Sequence, residues 1–182
     1  MAAVAAPPRS FPASSVVAMP SREEIVQSAL KQLAELIVYG TDHDIELAKN
    51  LLNLLTPEEA FQRIPSSVEG CLYLSIKNER FLDLYVENYG KVYPKGFTQP
   101  CNVVGTTPLY LAVLCRSEVA TKLLLPFYSW EQLQMDPPHQ DHFNAYLALS
   151  PEIEKLVREH EKTLRIRALL LGLVRSSAKG SS

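Results

Sequence analysis

The chain has 182 residues, of which 47% are hydrophobic, and its 18 cationic and 20 anionic side chains give a net charge of −2. This length suits a single domain, and the apolar content is sufficient for a packed core, which excludes a wholly disordered protein. The near balance of charge gives no general attraction to nucleic acid or to anionic lipid.

Residues 1–20 differ in composition from the rest of the chain. They are rich in Ala, Pro and Ser, and they contain no acidic residue and a single basic one, Arg9. The segment lacks the compact apolar core of a secretory signal. We interpret it as a disordered leader in preference to a transit peptide, and we interpret residues 176–182 as a flexible tail.

Residues 21–64 predict an N-terminal helical layer. Ser21 and Glu24 have the spacing of a capping box, and Gly40 is expected to end the helix that they begin. A second helix is predicted over "DIELAKNLLNLL". A third begins at Thr56, with proline at its first position and Glu59 completing a second capping box. The sequence leaves open whether this layer is a diverged copy of the units that follow.

Residues 105–125, "GTTPLYLAVLCRSEVATKLLL", predict two short helices separated by a polar break. Thr107 is expected to cap the first helix through its hydroxyl, and Pro108 suits the first helical position. Helices this short are marginal alone, since isolated helices under about 12–15 residues rarely persist in water. The pair is therefore predicted to bury its apolar faces against neighbouring helices.

This segment resembles the ankyrin repeat, whose signature contains T-P-L-H-x-A within a period of about 33 residues. Tyr110 replaces the family's usual histidine, and Arg116 replaces the usual turn glycine, so we expect a looser turn. The resemblance implies an all-α, short ankyrin-like solenoid of helical hairpins that binds protein through a concave face and loop tips. The matching residues are Gly105, Thr107, Pro108, Leu109, Leu111, Ala112, Lys122, Leu123, Leu124 and Leu125.

The tyrosine of this pattern recurs along the chain. Tyr73 precedes Tyr110 by 37 residues and Tyr146 follows it by 36, and a second apolar segment comes after each. We interpret the outer two segments as degenerate copies with lengthened connections. The repeat domain is accordingly predicted to span residues 21–175.

A long helix is predicted from Pro151. Residues at three- and four-residue spacing form one side, and a second apolar side includes Ile166, Leu170 and Leu173. We favour a helix that caps the last hairpin over a surface that docks a partner. Its apolar run "ALLLGLV" is too short to span a bilayer, which takes about 20 residues, so no membrane insertion is expected.

The sequence offers little chemistry. It contains no Gly-rich phosphate loop and no paired cysteines at zinc spacing, and "HQDH" at residues 139–142 is interpreted as a solvated loop in preference to a metal site. Cys115 lies beside Arg116, which favours a thiolate, yet no base is apparent; Cys71 and Cys115 are otherwise interpreted as small buried residues. We therefore predict no enzyme, no cofactor and no metal, in a reducing compartment such as the cytoplasm or nucleus.

The lengthened connections carry the candidate binding residues. Aromatic side chains on loops are costly to leave in water and often dominate interfaces. Phe127 and Trp130 can instead pack onto the hairpin beneath them. We expect a monomer that binds another protein as an adaptor, inhibitor or effector; the alternative is a regulatory helical subunit whose basic C-terminal helix contacts nucleic acid or an acidic surface, although nucleic acid is the less favoured partner. The candidate partner-binding residues are Tyr93, Lys95, Phe97, Gln99, Tyr128 and Trp130.

Overall fold

The computed structural model describes residues 19–64, 67–134 and 140–179, without the side chains of residue 134 and of ranges 140–142 and 172–179. These residues form ten α-helices and no β-strand, so the all-α prediction is confirmed for the described part of the chain. Three 3-10 turns lie at Asp42–Asp44, Pro94–Phe97 and Leu125–Phe127. The helices are α1 (Arg22–Tyr39), α2 (Ile45–Leu54), α3 (Pro57–Ala60), α4 (Cys71–Ile76), α5 (Glu79–Tyr89), α6 (Pro108–Leu114), α7 (Glu118–Leu124), α8 (Trp130–Gln134), α9 (Gln140–Ala148) and α10 (Pro151–Lys179).

The helices pack as successive pairs. Helix α1 contacts α2, α4 contacts α5, α6 contacts α7, and α9 contacts α10. Across the pairs, α1, α4, α6 and α9 touch in that order, while α2, α5, α7 and α10 form a second series. Short helices such as α4 and α6 are thus supported both by their own partner and by neighbouring pairs.

Both predicted capping boxes are present. The Ser21 hydroxyl accepts a hydrogen bond from the Glu24 N–H at 3.2 Å, and the Glu24 carboxylate accepts one from the Ser21 N–H at 2.7 Å. Thr56 and Glu59 repeat this arrangement at 3.3 and 2.7 Å. Arg22 then links the two helix starts, because its guanidinium donates to the Glu59 carboxylate at 3.0 and 2.5 Å.

The turn between α6 and α7 is tight, so the looser turn expected from Arg116 is wrong. Arg116 has φ of 54°, a left-handed conformation that usually belongs to glycine. Its N–H donates to the Val113 carbonyl, and the N–H of Ser117 donates to that of Ala112, each at 3.0 Å. These two bonds define a Schellman motif, which holds the arginine in the glycine conformation.

Six aromatic side chains, here named the aromatic cluster, join three successive connections of the chain. Phe97 is fully buried, stacks on Phe127 with ring centroids 4.3 Å apart, and meets Phe61 edge-on at 5.0 Å. The two buried hydroxyls in the cluster are satisfied by the carbonyls of Ala60 and Leu52. The lengthened connections therefore contribute aromatic side chains to the hydrophobic core. The members are Phe61, Tyr85, Tyr89, Tyr93, Phe97 and Phe127.

Among the described side chains of helix α10, the buried ones lie in its first part. Ile153 and Val157 are buried where the helix contacts α7, α8 and α9, whereas the described side chains from Arg165 to Leu171 are exposed. The helix continues to Lys179, so the predicted tail boundary at residue 175 falls too early. Residues 1–18 of the predicted leader and residues 180–182 of the predicted tail lie outside the described residues.

Candidate functional site

Two connections meet beside the start of α4 and present a small apolar surface. Isolated antiparallel bridges pair Arg63 with Gly70 and Glu69 with Asn102, and the Val103 N–H donates to the Val68 carbonyl at 3.3 Å. We name the three exposed apolar side chains of these loops the valine tips. They are Val68, Val103 and Val104, which are 58%, 53% and 64% exposed.

The loop that carries two of the valine tips is held in one shape. The Asn102 side-chain oxygen accepts hydrogen bonds from the N–H of Val104 at 3.2 Å and of Thr106 at 2.9 Å. Gly105 has φ of 83°, which side chains rarely adopt, so the chain turns sharply there. A loop fixed in this way loses little conformational entropy when a partner binds.

Three half-buried tyrosines, named the tyrosine row, lie on successive helices. Tyr73 lies in α4, Tyr110 in α6 and Tyr146 in α9, and these helices touch in that order. Tyr110 is 6.5 Å from Tyr146 between ring centroids and stacks on Phe143 at 5.9 Å. The row thus places one partly exposed tyrosine on each of three consecutive helix pairs.

Charged groups border the tyrosine row at Tyr73. The Lys77 ammonium lies 4.9 Å from the centroid of the Tyr73 ring. Burial raises the pKa of Tyr73, the Lys77 charge lowers it, and the nearby Glu69 carboxylate raises it again. Because Glu69 also belongs to the bridged loop, it connects the valine tips to the tyrosine row.

Two predicted binding residues are structural. Phe97 lies inside the aromatic cluster, and Tyr128 is 5% exposed, so neither ring is available to a partner. The Tyr128 hydroxyl accepts a hydrogen bond from the Leu109 N–H at 3.1 Å, whereas the Thr107 side chain makes no capping bond. The prediction that Phe97 and Tyr128 bind a partner is wrong, and so is the prediction that the Thr107 hydroxyl caps α6.

The other predicted binding residues remain accessible to different degrees. Tyr93 is half-buried against Phe61, and the Lys95 ammonium lies 4.8 Å from the centroid of the Tyr93 ring. Gln99 is exposed, and Trp130 is half-buried at the start of α8. None of these four belongs to the valine tips or the tyrosine row, so the structure does not assemble the predicted residues into one site.

Sequence analysis missed the valine tips. The signal was present as two adjacent valines in "NVVG", immediately before the glycine of the turn. Apolar residues exposed singly are ordinary, whereas neighbouring exposed apolar side chains are typical of interaction surfaces. The partner of this loop, residues 67–70, is distant in sequence, and the pairing between the two loops was not predicted.

The thiols do not suit nucleophilic chemistry. Burial raises the pKa of Cys71 and of Cys101 to about 12 in each case. Cys115 is exposed, which corrects its expected burial, and partial desolvation raises its pKa while Lys77 lowers it. A thiolate-prone Cys115 is therefore not supported, because its pKa moves in the opposite direction.

The described residues contain no cluster of His, Cys, Asp or Glu suited to a metal ion. His139, from the "HQDH" segment, lies outside the described residues, while Asp141 and His142 fall in the first turn of α9. Among the helices that the structure describes, none is both long and apolar enough to cross a membrane.

Comparisons of the chain with protein-family models, with curated proteins and with solved structures found no match.

Proposed function

We propose that this chain is an ankyrin-like helical-repeat protein that binds another protein and carries out no catalysis of its own. The ankyrin resemblance of residues 105–125 and the packing of helices in successive pairs both support a short solenoid. In this proposal α4, α6 and α9 are the inner helices, and the valine tips lie at the ends of the inter-repeat loops.

The observation that carries the proposal is the interaction of Glu69, in the loop that carries Val68, with Tyr73 of the tyrosine row. The exposed valines lie on hydrogen-bonded loops. Glu69, the neighbour of Val68 in the chain, interacts with the first of three half-exposed tyrosines on consecutive helices. Tyrosine is enriched among residues that dominate binding energy, since its ring supplies apolar contact and its hydroxyl a polar one. A partner that covers both features would remove apolar surface from water at little ordering cost.

A capture experiment with matched variants tests the proposal. The surface variant carries Val68→Asp, Val103→Asp and Val104→Asp, all at exposed positions whose replacement leaves the core untouched. The control carries Leu54→Asp and Val92→Asp, which are also exposed but lie in α2 and after α5. Circular dichroism melts verify that both variants remain folded.

We expect wild type and control to capture the same protein from lysate, and the surface variant to lose it. The captured protein is then purified, and its direct binding to each variant is measured by calorimetry. Equal affinity for the surface variant and wild type would contradict the proposed surface.

A further inference from the structure

Helix α10 extends beyond the body of the protein with an uncovered apolar stripe. Ile166, Leu169 and Leu170 are 48%, 62% and 56% exposed. Residues three and four positions apart share one helix face, so Leu169 and Leu170 both lie beside Ile166. We name these three residues the α10 stripe.

Arginines border the α10 stripe on both sides. Arg165 and Arg167 precede and follow Ile166, which places each about 100° around the helix from it. Both are exposed, as is Lys162 one turn before Ile166. The stripe is thus an apolar strip between two cationic edges.

The small net charge of the whole chain combines a cationic C-terminal segment with an anionic remainder. The 21 residues after Glu161 hold five of the 18 cations and none of the 20 anions. The preceding residues therefore hold 13 cations against 20 anions, a net charge of −7. An anionic surface would attract the end of α10 and repel the rest of the molecule, which orients the helix toward that surface.

The combination of an apolar stripe with flanking arginines distinguishes between the molecules that could cover this part of α10. A second copy of α10 would bring cationic edges against cationic edges, with no anion after Glu161 to offset them. Nucleic acid would satisfy the cations through its phosphates but leave the three apolar side chains in water. A lipid surface meets both requirements, because the apolar strip enters the acyl boundary while the flanking arginines reach the headgroups.

We propose that residues 162–171 of α10 dock this protein on an anionic phospholipid surface, with Ile166, Leu169 and Leu170 in the interface and Arg165 and Arg167 on headgroups. The helix lies along the surface and does not cross it. This inference is independent of the protein-binding function proposed above.

Flotation of the full chain with phosphatidylcholine vesicles, prepared with and without phosphatidylserine, tests the proposal. We expect the protein to float with the vesicles that contain phosphatidylserine and to remain below the neutral ones. Arg165→Gln with Arg167→Gln should lower binding roughly 25-fold, since each cation near such a surface contributes roughly fivefold. Leu169→Ser with Leu170→Ser should lower it by at least roughly tenfold.

The matched controls are Lys49→Gln with Lys91→Gln and, separately, Leu47→Ser, all at exposed positions outside α10. They should bind like wild type. Failure to bind vesicles with phosphatidylserine, or equal binding to neutral vesicles, would overturn the proposal.

Two further outcomes would assign α10 elsewhere. Binding that depends on the arginines but survives the leucine substitutions would indicate plain charge attraction of the kind nucleic acid also exerts. Sedimentation of the chain alone as a dimer that Leu169→Ser dissociates would make a second copy the occupant of the stripe. Either result overturns lipid docking.

Discussion

The Tyr128 hydroxyl accepts a hydrogen bond from the backbone N–H of Leu109 at 3.1 Å, and so caps helix α6 from a position nineteen residues further along the chain. The Thr107 hydroxyl makes no capping bond, although Thr107 occupies the N-cap position. The start of α6 consequently depends on a side chain from the connection after α7.

We expect Tyr128→Phe to lower the free energy of unfolding by about 1–2 kcal/mol, because it leaves the buried Leu109 N–H without a partner. Urea denaturation followed by circular dichroism measures this change. Tyr39→Phe removes a hydroxyl from an exposed tyrosine and should leave the midpoint unaltered. An equal midpoint for Tyr128→Phe and wild type would mean that the phenol is not the cap.

Arg116→Gly should raise stability by about 0.5–1 kcal/mol. The left-handed conformation costs a residue with a Cβ about 1–2 kcal/mol, and glycine avoids this cost. Glycine also has greater conformational freedom in the unfolded chain, which offsets part of that stabilisation. Arg116→Ala retains the Cβ and should give no increase, which separates backbone strain from loss of the charge. A destabilised glycine variant in the same urea titration would contradict this account.

Phe97→Ala should destabilise the protein by about 3–5 kcal/mol, the usual cost of deleting a buried aromatic ring. Lys95→Ala and Gln99→Ala, in the same connection, should remain close to wild type because both side chains are exposed. Thermal melts of the three variants make the comparison. A Phe97→Ala protein as stable as the other two would place Phe97 outside the core.

Acid should weaken the link between α1 and α3. The hydrogen bond from Arg22, followed by that from the Thr56 N–H, lowers the pKa of Glu59. The stabilisation is therefore present above the unfolded glutamate pKa of about 4.3 and is lost as pH falls through the lower folded value.

Urea midpoints measured across this acid range test the link. Glu59→Gln should lower the midpoint at neutral pH and remove part of its decline in acid, whereas Glu58→Gln, at an exposed neighbouring position, should retain the full decline. Equal acid profiles for Glu59→Gln and wild type would show that Glu59 contributes no pH dependence.

Thiol reagents should distinguish the cysteines. Cys115 is exposed and should react in the native protein, although more slowly than a free thiol because its pKa is raised. Cys71 and Cys101 are buried, with the pKa of each raised to about 12, and should react only after unfolding. Cys115→Ser should abolish the native-state reaction. Prompt modification of a second thiol in the folded Cys115→Ser protein would contradict the assigned burial.

Local signals in the sequence predicted local structure well. The boxes at Ser21 and Thr56 depend on residues three positions apart, so spacing alone identified them. Phe97 was assigned to a binding loop because its partners, Phe61 and Phe127, are 36 and 30 residues away in sequence. The candidate surface was not predicted either, because it depends on the pairing of Glu69 with Asn102, two residues that are distant in sequence.

The aromatic cluster also constrains how this protein can change in length over evolution. Helical arrays often gain or lose whole units by duplication and deletion, because each unit meets its neighbours through similar surfaces. Here Phe61, Phe97 and Phe127 come from three different connections, and the Phe97 ring packs against both of the others. Insertion of a copied hairpin between them would separate rings that stack or meet edge-on, so growth by duplication should be confined to the ends of the chain.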